Sequence, residues 1–381
     1  MSEPKQPLSR RSFLTVAACA GVAIALPGLQ ACARGPSHRA EQFRAAFEAG
    51  DENYREFTDS VGRTVVLPRQ IKSVSPSGPL AQLLLVTICP ELLVSLATSF
   101  SKTQARYLGE ELTGLPVLGR FYGVNADMNY EEIIRMSPDV IIDIGTAKRN
   151  IDKDMDKLQE QTGLPTIFIE ALITKMDVAY EMLGDALGIT TRAQTLANYA
   201  RETLAFAYKH HDEIAADGLK IMYASGENGL DVKKKGSVHS GVIDILGLDN
   251  VAVLSDTNST LVSIEQVMLW QPEVLLLSSS EGYFQDIFDD PIWKDVSAVK
   301  NRRTYEVPGE PYEWLDRPPS VQMLLGLKWL GNLLYPHLYN FDIVKKTQEF
   351  YKLFWHYDLS TAEAHGLLAN SSFLSRDSGM G

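Results

Sequence analysis

The chain has 381 residues, 45% of them apolar and 22% charged, enough for one or two globular domains with a full core. Its formal net charge of −12 argues against binding nucleic acid or an anionic membrane through the surface at large, and an anionic ligand requires a local basic pocket. Of the three cysteines only Cys89 lies beyond residue 32, and one thiol makes no intrachain disulfide, Cys-rich zinc site or iron–sulfur cluster.

Residues 1–31 read as an export signal. Ser9-Arg10-Arg11-Ser12-Phe13-Leu14 has the twin-arginine pattern, and the apolar run 13–26 is short for a membrane span. Leu29-Gln30-Ala31-Cys32 reads as a lipobox, which makes Cys32 the expected lipid-bearing first residue of the mature chain. The expected location is therefore lipid-anchored, on the periplasmic or extracellular face of a membrane. Removing 1–31 takes away Lys5, Arg10, Arg11 and Glu3 and leaves the remainder two charges more negative. A retained membrane helix is the alternative.

Residues 32–56 read as a polar, partly helical tether. The stretch FTDSVGRTVVLP at 57–68 reads as a β-hairpin turning at Asp59 to Gly62. A strand at 71–74 leads through Pro76-Ser77-Gly78-Pro79 into an apolar helix at 80–89, where Cys89 is expected in the core. A short strand at 116–119 and the loop 120–125 follow.

The chain then repeats itself. NYEEIIRMSPDVII at 129–142 returns as SIEQVMLWQPEVLL at 263–276, aligning Glu131 with Glu265, Glu132 with Gln266, Pro138 with Pro272 and Val140 with Val274. Each copy opens a short helix on a polar residue and stops it at Pro. An acid then leads into an apolar run that reads as a buried parallel strand. Two copies this far apart suggest two similar α/β lobes rather than a solenoid, whose period is about 20–50 residues.

Between the copies, apolar or small residues at 196, 200, 204, 207 and 214 keep helical spacing, uninterrupted by Pro or Gly until Gly218. At 1.5 Å per residue this predicts a helix of roughly 35 Å joining the lobes. The expected division is a first lobe at 57–185, a connecting helix at 186–217 and a second lobe at 218–381. The second lobe opens on a strand at 220–224 and closes on an apolar helix at 321–334 and an aromatic tail at 350–355.

The hairpin, the paired repeat, IDILGLDNVA at 243–252, WKDVSAVKNRRTYEVP at 293–308 and RPPSVQMLLGLKWLGNLLYP at 317–336 together resemble one family. It is that of the substrate-binding lipoproteins of ATP-binding-cassette importers, of the ferric-siderophore, haem and cobalamin class (class III periplasmic binding proteins). The resemblance runs from residue 57 to about 367. It implies an α/β fold of two Rossmann-like lobes joined by a single long α-helix, with the ligand in the cleft between them. It implies no enzymatic activity and no resident cofactor, and as partners a permease dimer with its ATPase subunits. It further implies that one surface Glu per lobe docks on the permease; position by position these are Glu131 and Glu265, with Glu132 as a neighbour able to substitute. Plain first-turn acids favoured by the helix dipole are the alternative.

Ligand residues are expected in loops at the carboxyl ends of strands. Arg120, Tyr122, His239, Tyr312, Trp314 and Arg317 stand out there as cations and aromatics suited to oxyanions and flat chelates. Each has a plainer reading: Arg317 pairing with Asp316, Trp314 as packing, His239 as hydrogen-bonded structure. The leading function is capture of a metal chelate, such as a ferric siderophore, haem or cobalamin, with no metal ligand assigned to the protein. The alternative ligand is molybdate or tungstate, cradled by Arg120, Arg317, His239 and backbone N–H groups. An exported enzyme is disfavoured, because the chain lacks G-x-G-x-x-G after a strand, G-x-S-x-G, H-E-x-x-H and a Cys cluster.

Overall fold

A computed structural model describes residues 38–122, 126–255, 260–280 and 282–371. The signal at 1–31, Cys32 and residues 123–125 of the candidate loop lie outside the described residues. Within the stretch read as a tether, helix α1 (Arg39–Glu48) is docked rather than free: Ala40 N–H donates to the Gly163 carbonyl, and Arg39 bonds both Ser137 and Asp139.

The hairpin forms as read, β1 (Tyr54–Thr58) pairing antiparallel with β2 (Thr64–Pro68). Strand β3 (Val74–Pro76) feeds α2 (Pro79–Ile88), which starts on Pro79 and is buried from Ala81 to Ile88. A helix apolar on every side belongs in a core, and Cys89 is buried behind it. Short helices α3 (Lys102–Leu108) and α4 (Glu110–Thr113) precede α5 (Tyr130–Met136), β4 (Val140–Gly145), α6 (Ile151–Thr162) and β5 (Thr166–Glu170). Strands β3, β4 and β5 form a parallel sheet, extended by bridges from Val74 to Leu93 and from Leu96 to Val117.

Helix α7 (Met176–Leu187) ends at Gly188 in the left-handed conformation, and α8 (Thr190–Asp217) begins the crossing. Its 28 residues span about 42 Å, and Ala193, Leu196, Ala200, Leu204, Ala207 and Ile214 lie on its buried side. The second lobe contains β6 (Lys220–Ser225), β7 (Asp231–Val232), α9 (Gly241–Leu246), β8 (Asp249–Asn250), α10 (Ile264–Trp270), β9 (Val274–Ser278), α11 (Ser297–Lys300) and β10 (Thr304–Val307). Its sheet runs β10-β9-β6 in parallel, with β8 parallel and β7 antiparallel on β6.

The repeat is structural. The side chains of Asn129 and Ser263 cap α5 and α10 by accepting from the N–H three residues on. Ser137 and Gln271 end both helices in the left-handed conformation, one residue before Pro138 and Pro272. The acid after each proline pins the neighbouring strand: Asp139 accepts from Lys72 and Ser73 N–H, and Glu273 from Lys220 N–H.

Helix α12 (Met323–Leu334) follows, then α13 (Ile343–Phe354) and α14 (Thr361–Leu367). These last two return to the first lobe and the connecting helix. Phe350 and Phe354 pack on Tyr199, and the Arg106 guanidinium pairs with Glu363 at 2.6 Å. Ser371 still holds the second lobe, its carbonyl accepting from Trp329 Nε1 at 2.9 Å.

Candidate functional site

Two cavities lie near the carboxyl ends of the parallel strands, where ligands of α/β sheets generally bind: one in the first lobe, the other between the second lobe and helices α3 and α14.

In the first lobe, Ser77 after β3, Asp143 in β4 and Lys148 beyond it meet Arg120 and Tyr122 around a cavity of about 240 Å³. Tyr122 Oη donates to Asp143 Oδ2 at 2.5 Å, and Ser77 Oγ donates to Oδ1. Lys148 Nζ lies 3.5 Å from the centroid of the Tyr122 ring, a cation–π contact. Asp143 is only 3% exposed; burial pushes its carboxyl above the usual range, against the pull of the two hydroxyls and Lys148. Burial and Asp143 together push the Tyr122 phenol up. Arg120 is delivered by Gly119, whose φ of +83° and approach to the Asp127 backbone exclude a Cβ. The Arg120 backbone N–H donates to Asp127 Oδ1 at 2.9 Å. Its Nε is buried and has no hydrogen-bond partner among the described residues.

In the second lobe, Glu313 is 4% exposed. Tyr223 Oη donates to Oε1, and Ser278 Oγ donates to Oε2 at 2.6 Å. Burial raises this carboxyl too. Arg317, in the left-handed conformation at φ 44°, donates from Nη1 to Ser280 Oγ at 2.7 Å. Glu313, Ser280 and Arg317 face a cleft of about 1010 Å³, whose other walls are Tyr107 of α3, the loop bearing Glu310 and Tyr312, and Glu363 of α14.

The six candidate ligand residues therefore divide. Arg120 and Tyr122 share the first-lobe cavity, and Tyr312 and Arg317 line the cleft. His239 lines neither; its Nδ1 sits 2.6 Å from Asp316 Oδ1, with Lys233 Nζ 3.7 Å from the other oxygen of that buried carboxylate. Trp314 is corrected from a ligand contact to a core residue. It is 1% exposed, its ring stands 6.4 Å from that of Trp329, and Gly326 leaves room for its carbonyl.

Asp143, Lys148, Ser77, Glu313, Tyr107 and Glu310 were not singled out from sequence. Asp143 carried a signal, as an acid inside an otherwise apolar strand. Among the described residues no group of three His, Cys, Asp or Glu side chains is arranged to hold a metal ion.

Glu131 and Glu265 are exposed in the first turns of α5 and α10. Glu132 differs, because Arg135 Nε donates to it at 2.9 Å. Ser263 and the local backbone hold the Glu265 carboxyl below the usual range. No helix of the described residues is long and apolar enough to cross a membrane.

Residues 122–311 match the family model described as periplasmic binding protein. An ABC transporter solute-binding protein from Sulfurospirillum deleyianum has a similar structure, with a TM-score of 0.74 and 28% identity over 82% of this chain and 98% of that one. The Fe(3+)-citrate-binding protein YfmC of Bacillus subtilis is 25% identical over 207 residues, 52% of this chain and 62% of its own length. The molybdate-binding protein MolA of Haemophilus influenzae is 21% identical over 79% of this chain and 91% of its own. These relatives are solute-binding proteins rather than enzymes. With its two similar lobes, single long helix and the match over residues 122–311, the chain belongs to the periplasmic binding protein family that serves ABC importers.

Proposed function

We propose that the protein captures an anionic, oxygen-rich metal chelate outside the cytoplasm and delivers it to an ABC permease. The observation that carries this reading is the cleft of about 1010 Å³ edged by Arg317, Tyr312, Ser279 and Tyr107. It is at the upper end of the range for small-molecule sites, about 300–1,000 Å³, and offers planar, hydroxyl and cationic contacts together. YfmC's name supports a ferric carboxylate as one such ligand. In this reading Cys32 bears the lipid anchor after twin-arginine export, and Glu131 and Glu265 meet the two permease subunits.

A second reading is favoured by one feature. The first-lobe cavity of about 240 Å³ is lined by Arg120, whose Nε has no hydrogen-bond partner among the described residues, and by Lys148, a size and charge suited to a compact oxyanion, and MolA is a relative matched over most of its length.

A thermal-shift panel of ferric citrate, other ferric siderophores, haem, cobalamin, nickel with histidine, molybdate and tungstate, run on the chain from Ala33 onward, separates the two. A ligand at 100 times its Kd adds roughly 2.7 kcal/mol. A shift with a chelate supports the first reading. A shift with molybdate or tungstate alone replaces it by the second.

A further inference from the structure

Each lobe buries one carboxyl at its cavity wall, in the same setting. Asp143 accepts from a tyrosine and a serine, Tyr122 and Ser77; Glu313 does the same from Tyr223 and Ser278. Both line the cavities described above. Among the described residues neither has a lysine or arginine within ion-pair distance, although ion pairs are plentiful elsewhere in the chain. A buried carboxylate whose nearest cation stands beyond ion-pair distance is an expensive arrangement in a static core.

We propose that Asp143 and Glu313 are a matched pair of specificity-determining carboxyl groups, one per lobe, each of which takes up a proton as an anionic ligand enters the cavity it lines. The inference rests on the reading of these cavities as a ligand site. An ionised carboxyl only accepts hydrogen bonds and repels ligand oxygens. Once protonated it loses the charge and gains a donor that those oxygens accept. Uptake of one proton makes affinity fall about tenfold per pH unit as pH rises through the titration, and two protons double that slope.

The surrounding charges shape the response. Around Asp143 stand Ser77 from the β3 exit, Arg120 and Tyr122 from their loop, Lys148 from the β4 exit, and Asp154 of α6, which pairs with Lys148 at 3.3 Å. Around Glu313 stand Tyr223 of β6, Ser278 and Ser280 after β9, and Asp316 and Arg317 of its own loop; Lys233 is 5.9 Å from the Tyr223 ring centroid. Lys148 and Arg317 oppose protonation, while burial and Asp316 favour it.

The test has two arms on the mature chain. Without ligand, melting temperature is recorded from about pH 5 to about pH 8. A folded-state carboxyl raised above its unfolded value makes stability fall as pH rises from the unfolded value through the folded one. Asp143→Asn and Glu313→Gln should each flatten that fall, and Tyr122→Phe, which removes one donor to the ionised form, should move it to higher pH. Unchanged profiles in all three variants overturn the proposal. With ferric citrate as probe, calorimetry in two buffers of different ionisation heat counts protons. Net uptake that drops in Asp143→Asn and Glu313→Gln supports the proposal. Tight binding with no proton uptake overturns it and leaves the functional reading intact. If ferric citrate does not bind, the functional reading loses that ligand, and the same proton count is made with whichever ligand of the thermal-shift panel binds; uptake that drops in the two variants supports the proposal and its absence overturns it.

Discussion

Tyr107 Oη donates a 2.5 Å hydrogen bond to Glu310 Oε2, tying helix α3 of the first lobe to the loop of the second that carries Tyr312, Glu313 and Arg317. The same tyrosine packs edge-on against Tyr351 and Tyr357 of the C-terminal segment, and Tyr351 Oη donates to the Glu310 carbonyl. The loop proposed to contact ligand is thus held by both α3 and α13, and such pre-organisation lowers the entropy lost on binding.

Tyr107→Phe should therefore act on binding more than on folding. Loss of one hydrogen bond to a half-buried carboxylate is expected to lower stability by about 1–2 kcal/mol. The released loop should speed ligand dissociation, which stopped-flow displacement measures. An unchanged off-rate would show that α13 and α14 hold the loop without Tyr107.

Trp314 and Arg317, three residues apart, should behave in opposite ways. Trp314→Ala opens a cavity under Trp329 and is expected to lower stability by about 3–5 kcal/mol, read from the denaturant midpoint. Arg317→Ala should leave the midpoint nearly unchanged and weaken binding of an anionic ligand. A normal Kd in Arg317→Ala would return that side chain to a purely structural role with Ser280.

The different legibility of these two residues has a physical origin. The repeat is readable because its determinants are local: a capping side chain at Asn129 or Ser263, a left-handed stop at Ser137 or Gln271, then proline. The long helix is readable for the same reason, from its spacing and its stop at Gly218. Whether Trp314 faces ligand or core depends on Trp329 and Gly326 of α12, which no spacing within PYEWLDRPP encodes. The return of α13 to the first lobe is hidden likewise, since an amphipathic helix states that it has a buried face but not what covers it. Asp143 was the most accessible omission, because an acid in a buried strand needs a reason.

Lys328 offers a pH signature remote from the cleft. Its Nζ lies 4.8 Å from the Tyr199 ring centroid, and burial, with Lys346 nearby, pulls it down to about 8. Between about 8 and the ordinary lysine value near 10.4, the folded chain binds fewer protons than the unfolded one, so stability rises with pH across that window. Lys328→Met keeps the volume and removes the charge. It should stabilise the protein by roughly 1–3 kcal/mol at neutral pH and abolish the rise. Melting curves at neutral and alkaline pH check both parts, and a parallel rise in the variant would remove Lys328 as its source.

The exposed acids on α5 and α10 give a prediction in which binding and transport separate. Glu131 and Glu265 occupy equivalent positions in the two copies, and both are open to solvent. Glu132, although adjacent to Glu131, is held by Arg135, so the first lobe presents one acid free of that ion pair rather than two equal ones. Under the proposed docking, these two like charges, one per lobe, would meet basic pockets on a permease dimer, and such rim charges set encounter rate and orientation more than affinity. The double variant Glu131→Ala, Glu265→Ala should keep the wild-type melting temperature and ligand Kd while uptake in whole cells is lost. Glu132→Ala should transport normally. If the double variant took up ligand normally, the docking face would have to be sought elsewhere on the lobes.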